Sequence, residues 1–129
     1  MISITTKSPY ALHALSELGR SGDGPVPIGE LARRREIPAQ FLEQLFATLR
    51  RAGVLKSQRG VKGGYTFART PAEITVLEVV ELLDGPFGRD AEGIFGEAAA
   101  AARAVLGATT IADIVEREAR DAGVAMYHI

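Results

Sequence analysis

A mainly α fold with one small β-hairpin is what this 129-residue sequence predicts, and three observations predict it. Three amphipathic runs come first, the second short and parted from the third by Ile37-Pro38, which is the layout of a helix-turn-helix. Next comes "RAGVLKSQRGVKGGYTFAR" (residues 51–69), where Val54-Leu55 and Tyr65-Thr66-Phe67 flank a tip of Gly, Arg and Lys. After Thr75 the pattern is helical again and includes a long alanine-rich run. In that order the pieces compose a winged helix-turn-helix with a long C-terminal helix, the hairpin being the wing.

Each element carries its own signals. Thr5 or Thr6 can cap a first helix with Ala11, Leu12, Leu15 and Leu18 at helical spacing, and "SGDGP" (Ser21 to Pro25) ends it. Pro27 stands where a first-turn proline is tolerated, and Ile28, Leu31 and Ala32 give a short second helix. A third runs from Ala39 to Ala52 with Leu42, Leu45, Phe46 and Leu49 on one face, and Gly53 suits its C-terminal end. Thr75-Val-Leu-Glu78 reads as a capping box for a fourth helix, which "DGPFG" (Asp84 to Gly88) stops. Alanine propensity makes Glu92 to Leu106 a fifth, and Thr110-Ile-Ala-Asp113 opens a sixth that Gly123 closes. The expected division is a DNA-binding domain over 1–84, dimerisation helices over 85–123 and a tail over 124–129.

Composition removes several classes of function. The chain is 47% hydrophobic and 24% charged, which suits a folded domain. It holds no cysteine, so disulfides, thiolate metal sites and a cysteine nucleophile are excluded. The first residues, "MISITTKSPYALHAL", lack a basic segment followed by an apolar core, and no apolar run reaches membrane length. A cytoplasmic protein is the expectation. Neither His13 nor His128 has partners at the spacing of a triad or metal site, and Gly60 to Gly64 is followed by no Gly-Lys-Ser/Thr that opens a helix. No enzymatic activity is expected.

Charge is informative once divided. Residues 1–70 hold 11 Lys+Arg against 5 Asp+Glu, and residues 71–129 hold 4 against 11. The halves therefore carry +6 and −7, a polarity expected of one part facing phosphate and one kept from it.

On the third helix, Gln40, Gln44, Ala47 and Arg51 fall opposite the apolar stripe, with Glu43, Thr48 and Arg50 at its flanks. Gln pairs bidentately with adenine, Glu accepts from cytosine, and Arg serves guanine or phosphate. The hairpin, with five Lys or Arg residues, four glycines and no acidic residue, complements that face. Arg59 can enter a narrow minor groove and Lys62 can meet phosphate, while Gly60, Gly63 and Gly64 let backbone come close. Tyr65 and Phe67 are expected in the core, because base stacking needs exposed rings. Double-stranded DNA is the expected partner. A winged helix acting purely as a protein-interaction module is the alternative, distinguished by binding that ignores salt.

The fifth helix carries Phe95, Ala98, Ala102, Val105 and Leu106, small and apolar residues suited to close pairing across a two-fold axis.

"ITTKSPYALHALSELG", "FLEQLFATLRRAGVLKSQRGVKGGY" and "ITVLEVVELLDGP", with "TTIADIVE" near the end, resemble the Rrf-type family of bacterial winged-helix transcription regulators. The resemblance implies a homodimer on an imperfect palindrome, paired through the fifth helix. It also implies base contacts from Gln40, Glu43 and Gln44, with Arg59 in the minor groove. The iron–sulphur branch carries three cysteines and a histidine before the long helix. Here that segment, "DGPFGRDAEGIF", has neither, and Glu92 stands about where the histidine would be. No iron–sulphur cluster or other cofactor is expected. The remaining resemblance is to the cluster-free branch that represses cysteine metabolism. That branch partners cysteine synthase (O-acetylserine sulfhydrylase), which captures peptides ending in isoleucine. "VAMYHI" accordingly makes Met126, Tyr127, His128 and Ile129 a candidate tail for that enzyme, with a carboxylate and an apolar last side chain.

Overall fold

The computed structural model describes residues 4–127, with side chains through residue 123. Helices α1 (Lys7–Arg20), α2 (Ile28–Arg35) and α3 (Ala39–Arg51) precede strands β1 (Leu55–Gln58) and β2 (Gly64–Phe67). A single 3-10 turn (Pro71–Glu73) leads to α4 (Val76–Asp84), α5 (Gly93–Ala108) and α6 (Ile111–Tyr127). This is the winged-helix order, mainly α with one antiparallel hairpin.

The apolar stripes converge as their spacing requires. Leu15 of α1, Leu31 of α2, and Leu42, Phe46 and Leu49 of α3 are completely buried together with Val54, Ile74 and Ile111. Each such side chain contributes roughly 1.5–3 kcal/mol by leaving water. Tyr65 and Phe67 pack partly buried against this core, Tyr65 meeting Phe46 edge-on at 5.2 Å and 79°. A second cluster, Val76, Val80 and Phe87, takes in Leu12, Leu77, Ala102, Leu106 and Ile114, so α4, α5 and α6 share it with α1.

Several ends differ from expectation in instructive ways. Thr5, not Thr6, serves α1: its hydroxyl accepts from the Lys7 N–H at 3.2 Å, while Thr6 makes no side-chain cap. Pro27 precedes α2 rather than lying inside it, and its carbonyl accepts from Glu30 and Leu31. The Thr75 hydroxyl accepts from the Glu78 N–H, but the Glu78 carboxylate turns to Arg69 at 2.6 Å and leaves that capping box half made. The complete box is Thr110–Asp113, with reciprocal bonds of 3.1 and 2.9 Å. Gly53 closes α3 as expected, with φ +81° and Val54 N–H donating to Leu49 O at 3.0 Å.

Two expectations are corrected outright. Gly123 does not close the last helix, because α6 runs on through Tyr127; a lone interior glycine only weakens a helix. The backbone at Met126 and Tyr127 is therefore helical, and the tail residues His128 and Ile129 lie outside the described residues. The wing glycines also divide. A Cβ on Gly63 would stand 2.1 Å from Gln58 O, and one on Gly64, at φ +149°, 2.3 Å from Val26 C. These two glycines admit the protein's own backbone, and only Gly60 (φ +113°) turns in open space at the tip. Gly63 is crowded by the wing's own turn at Gln58 and Arg59, and Gly64 by an isolated bridge between Val26 and Tyr65, with bonds of 3.0 and 2.8 Å, which fastens the segment before α2 to the wing.

Candidate nucleic-acid interface

The geometry of α3 follows from its sequence. Burial of Leu42, Leu45, Phe46 and Leu49 turns Gln40, Glu43, Gln44, Arg50 and Arg51 to solvent, all of them exposed. Ala47 and Thr48 are half-buried at the edge of that face. Thr48 donates to Gln44 O at 3.2 Å and accepts from Arg51 Nη2 at 3.3 Å, so the Arg51 head lies back along the helix.

Strands β1 and β2 pair Leu55 with Phe67 and Gln58 with Gly64, which leaves residues 59–63 as the tip. Gly63 N–H donates to Gly60 O at 3.0 Å and closes a tight turn around Val61 and Lys62. Arg59, Gly60 and Lys62 are exposed, and Val61 between them is 104% exposed.

The positive excess of the first 70 residues is not spread evenly. Arg33, Arg34 and Arg35 of α2 are taken up by Glu30, Glu17 and Glu118, and Arg69 by Glu78. Among the described residues, Arg50, Arg51, Lys56, Arg59 and Lys62 have no ion-pair partner. The unpaired cations of that half thus gather at the end of α3 and on the wing, with Lys7 and Arg20 at the two ends of α1.

Lys7 was not among the residues singled out in the sequence. It lines a shallow cleft of about 160 Å³ with Gln44, Thr48, Phe41 and Leu82, which places the start of α1 beside the polar face of α3.

The residues assigned to dimerisation separate into two sets. Phe95 and Val105 are 68% and 65% exposed and Ala98 is exposed, whereas Ala102 and Leu106 are half-buried in their own chain's second cluster. The outward stripe is completed by Ile94, 70% exposed, and by Ala101 and Ala108. Positions 94, 98, 101, 105 and 108 follow a spacing of alternate four and three, which lines them up as one exposed apolar stripe.

A profile of the Rrf2 family, described as iron-dependent transcriptional regulators, matches residues 4–92. The chain belongs to the Rrf2 family. The CymR regulator of Bacillus subtilis is 37% identical over 86 residues, which are 66% of this chain and 62% of that protein. An IscR regulator from Photorhabdus laumondii is 39% identical over 82 residues, 63% of this chain and 50% of that one. The chain thus spans between half and two thirds of the length of the curated relatives it matches. The structure of B. subtilis CymR, the global cysteine regulator of that organism, superposes with a TM-score of 0.83 at 32% identity, covering 91% of this chain and 98% of that one.

The donor set of this Rrf2 chain does not fit an iron–sulphur cluster. It has no cysteine, and the loop between α4 and α5 has no histidine. Arg103 of α5 reaches into that loop, its Nη1 donating to Glu81 Oε2 at 2.8 Å and to Phe87 O at 3.1 Å, while Phe87 N–H donates to the same Glu81 oxygen at 3.2 Å. Arg103, with smaller contributions from the Phe87 N–H and Arg89, outweighs burial and holds the Glu81 carboxyl below the usual glutamate range. A cation bonded to a backbone carbonyl is a poor neighbour for a metal. Among the described residues, no group of three or more His, Cys, Asp or Glu is placed to hold an ion.

Proposed function

We propose that this protein is a homodimeric DNA-binding transcription regulator that reads an imperfect palindrome with α3 and the wing. The observation that carries the reading is the set of free cations. Arg50, Arg51, Lys56, Arg59 and Lys62 are exposed and unpaired beside the polar residues Gln40, Glu43 and Gln44, whereas the cations of α2 are neutralised within the chain. Phosphate contacts supply affinity and register, and the glutamines supply sequence preference. In this reading Gln40, Glu43 and Gln44 meet base edges, Arg50, Arg51 and Lys62 meet phosphate, and Arg59 at the Gly60 turn enters the minor groove. Two copies pair through the outward stripe of α5, centred on Phe95, Ala98 and Val105.

The regulon is proposed on likeness. The missing cysteines favour the cluster-free branch, and with it repression of sulphur or cysteine metabolism in the cytoplasm without an iron–sulphur cofactor. Association of the last residues, Met126 to Ile129, with cysteine synthase belongs to the same proposal. It is tested by titrating the enzyme with the full chain and with a chain lacking Ile129; equal affinity would remove the tail from it.

The DNA-binding reading is tested by fluorescence anisotropy on labelled duplexes at several salt concentrations. Affinity should fall steeply with salt, with a log–log slope of about −0.9 per neutralised phosphate. Binding of a protein target that ignores salt, with none to DNA, would favour an interaction module instead.

A further inference from the structure

The turn between α2 and α3 aims the reading helix, and its backbone is unusual. Glu36 adopts φ 55° and ψ 46°, the left-handed conformation that only this non-glycine residue takes among the described residues. Such a conformation persists where its neighbours over-determine it. After it, Ile37 is buried and its N–H donates to Ala32 O at 2.9 Å. Before it stands Arg35, the last residue of α2.

Arg35 holds two carboxylates on two other helices. Its Nε lies 2.9 Å from Glu17 Oε1 of α1, and its Nη2 lies 2.9 Å from Glu118 Oε2 of α6, with side-chain exposures of 16%, 18% and 29% for the three residues. The Nη2 contact lacks full hydrogen-bond geometry and acts as an ion pair. Burial works against both charges, yet Ser16 and Arg35 hold the Glu118 carboxyl below its ordinary value, and the two carboxylates hold Arg35 above its own. Losing one partner would leave a half-buried guanidinium short of a carboxylate.

The placement of Glu118 gives the network its reach. Helix α6 packs mainly on α1 and on the 3-10 turn, and among the described residues the Arg35–Glu118 pair is the ion pair that joins it to α2. Glu118 also borders an apolar groove of about 330 Å³ lined by Leu12, Val76, Leu106 and Ile114. A displacement of α6 along that groove moves the carboxylate that Arg35 holds.

We propose that Arg35 is a positioning residue for operator reading, and that Glu118 makes the setting of α3 depend on α6. The inference rests on the DNA-binding reading above. Neither residue belongs to the proposed DNA-contacting set, so their effect runs through the Glu36 turn to Gln40 and Gln44.

The test uses a duplex selected from a random pool by the wild-type chain and an unselected duplex of equal length. Glu118→Gln keeps size and polarity and removes the charge. It should lower the ratio of selected to unselected affinity by about five-fold, within the range of coupling through one network, while the salt slope stays at the wild-type value. Simple destabilisation would weaken both duplexes alike and leave the ratio unmoved. Glu118→Asp retains the carboxylate and should keep most of the ratio. A folded Glu118→Gln dimer with a wild-type ratio would overturn the inference, as would equal losses in the Asp and Gln variants. Should the wild-type chain select no sequence, the DNA-binding reading falls and this inference with it.

Discussion

Gln44 is the residue on which sequence preference should turn most visibly, because it is exposed on α3 and lines the cleft that Lys7 shares. Gln44→Ala is expected to cost about 1–3 kcal/mol on the selected duplex and to relax preference at one base position, with little loss on unselected DNA. Arg51→Ala should instead weaken all duplexes alike and reduce the salt slope by about one contact. Competition binding at two salt concentrations separates the two outcomes. The wing glycines provide a stability counterpart. Gly64→Ala forces a Cβ against the Val26 backbone and should lower unfolding stability by well over about 1 kcal/mol in a urea titration. Gly60→Ala meets nothing within 4 Å and is strained only by its φ of +113°, so its loss should be smaller. Equal losses would mean that the Val26–Tyr65 bridge does not restrict the wing.

At the scale of elements, periodicity made the helices legible, since Leu42, Leu45, Phe46 and Leu49 leave α3 one possible inward face. What stayed hidden depended on partners distant in sequence. Nothing local in "GYTF" announces that Val26 will pass beside Gly64, and nothing in Glu78 announces that Arg69 will draw it from its cap. The same holds for α5. An alanine-rich helix marks neither edge strongly, so the five residues chosen on it included two, Ala102 and Leu106, that face their own chain. The exposed readout residues of α3 were legible as the complement of its apolar stripe; Lys7 was not, because its neighbour Gln44 lies on another helix. The two sides of α5 should respond differently. Val105→Glu should yield a folded monomer by light scattering, whereas Leu106→Ala should leave pairing intact but destabilise the fold by up to about 2–5 kcal/mol. Monomers from Leu106→Ala together with dimers from Val105→Glu would reverse the assignment.

Across the whole molecule, the ion pairs Arg35–Glu118 and Arg69–Glu78 join the basic half of the sequence to the acidic half, and carboxylates of the acidic half are held in charged form. Burial opposes ionisation of Asp84, but hydroxyl bonds from Ser8 and Thr5 more than offset it, and Arg103 does the same for Glu81. Both groups are held below their ordinary values, so they add stability above the unfolded-state range of about pH 4 and lose it as pH falls through their folded values. Thermal melts should therefore vary little with these groups near neutrality and decline in acid, and Glu81→Gln should make that acid decline shallower. An unchanged acid limb in Glu81→Gln would disprove the linkage. The same stitching leaves Arg50, Arg51, Arg59 and Lys62 free to meet an external polyanion in pairs, if two copies are joined by α5. Selection from a random duplex pool by the wild-type chain tests this most directly. The expected result is enrichment of an inverted repeat, bound by two protomers, with half-sites separated by about one helical turn or a multiple of it. Recovery of an unenriched pool, or of a single half-site bound by one protomer, would contradict it.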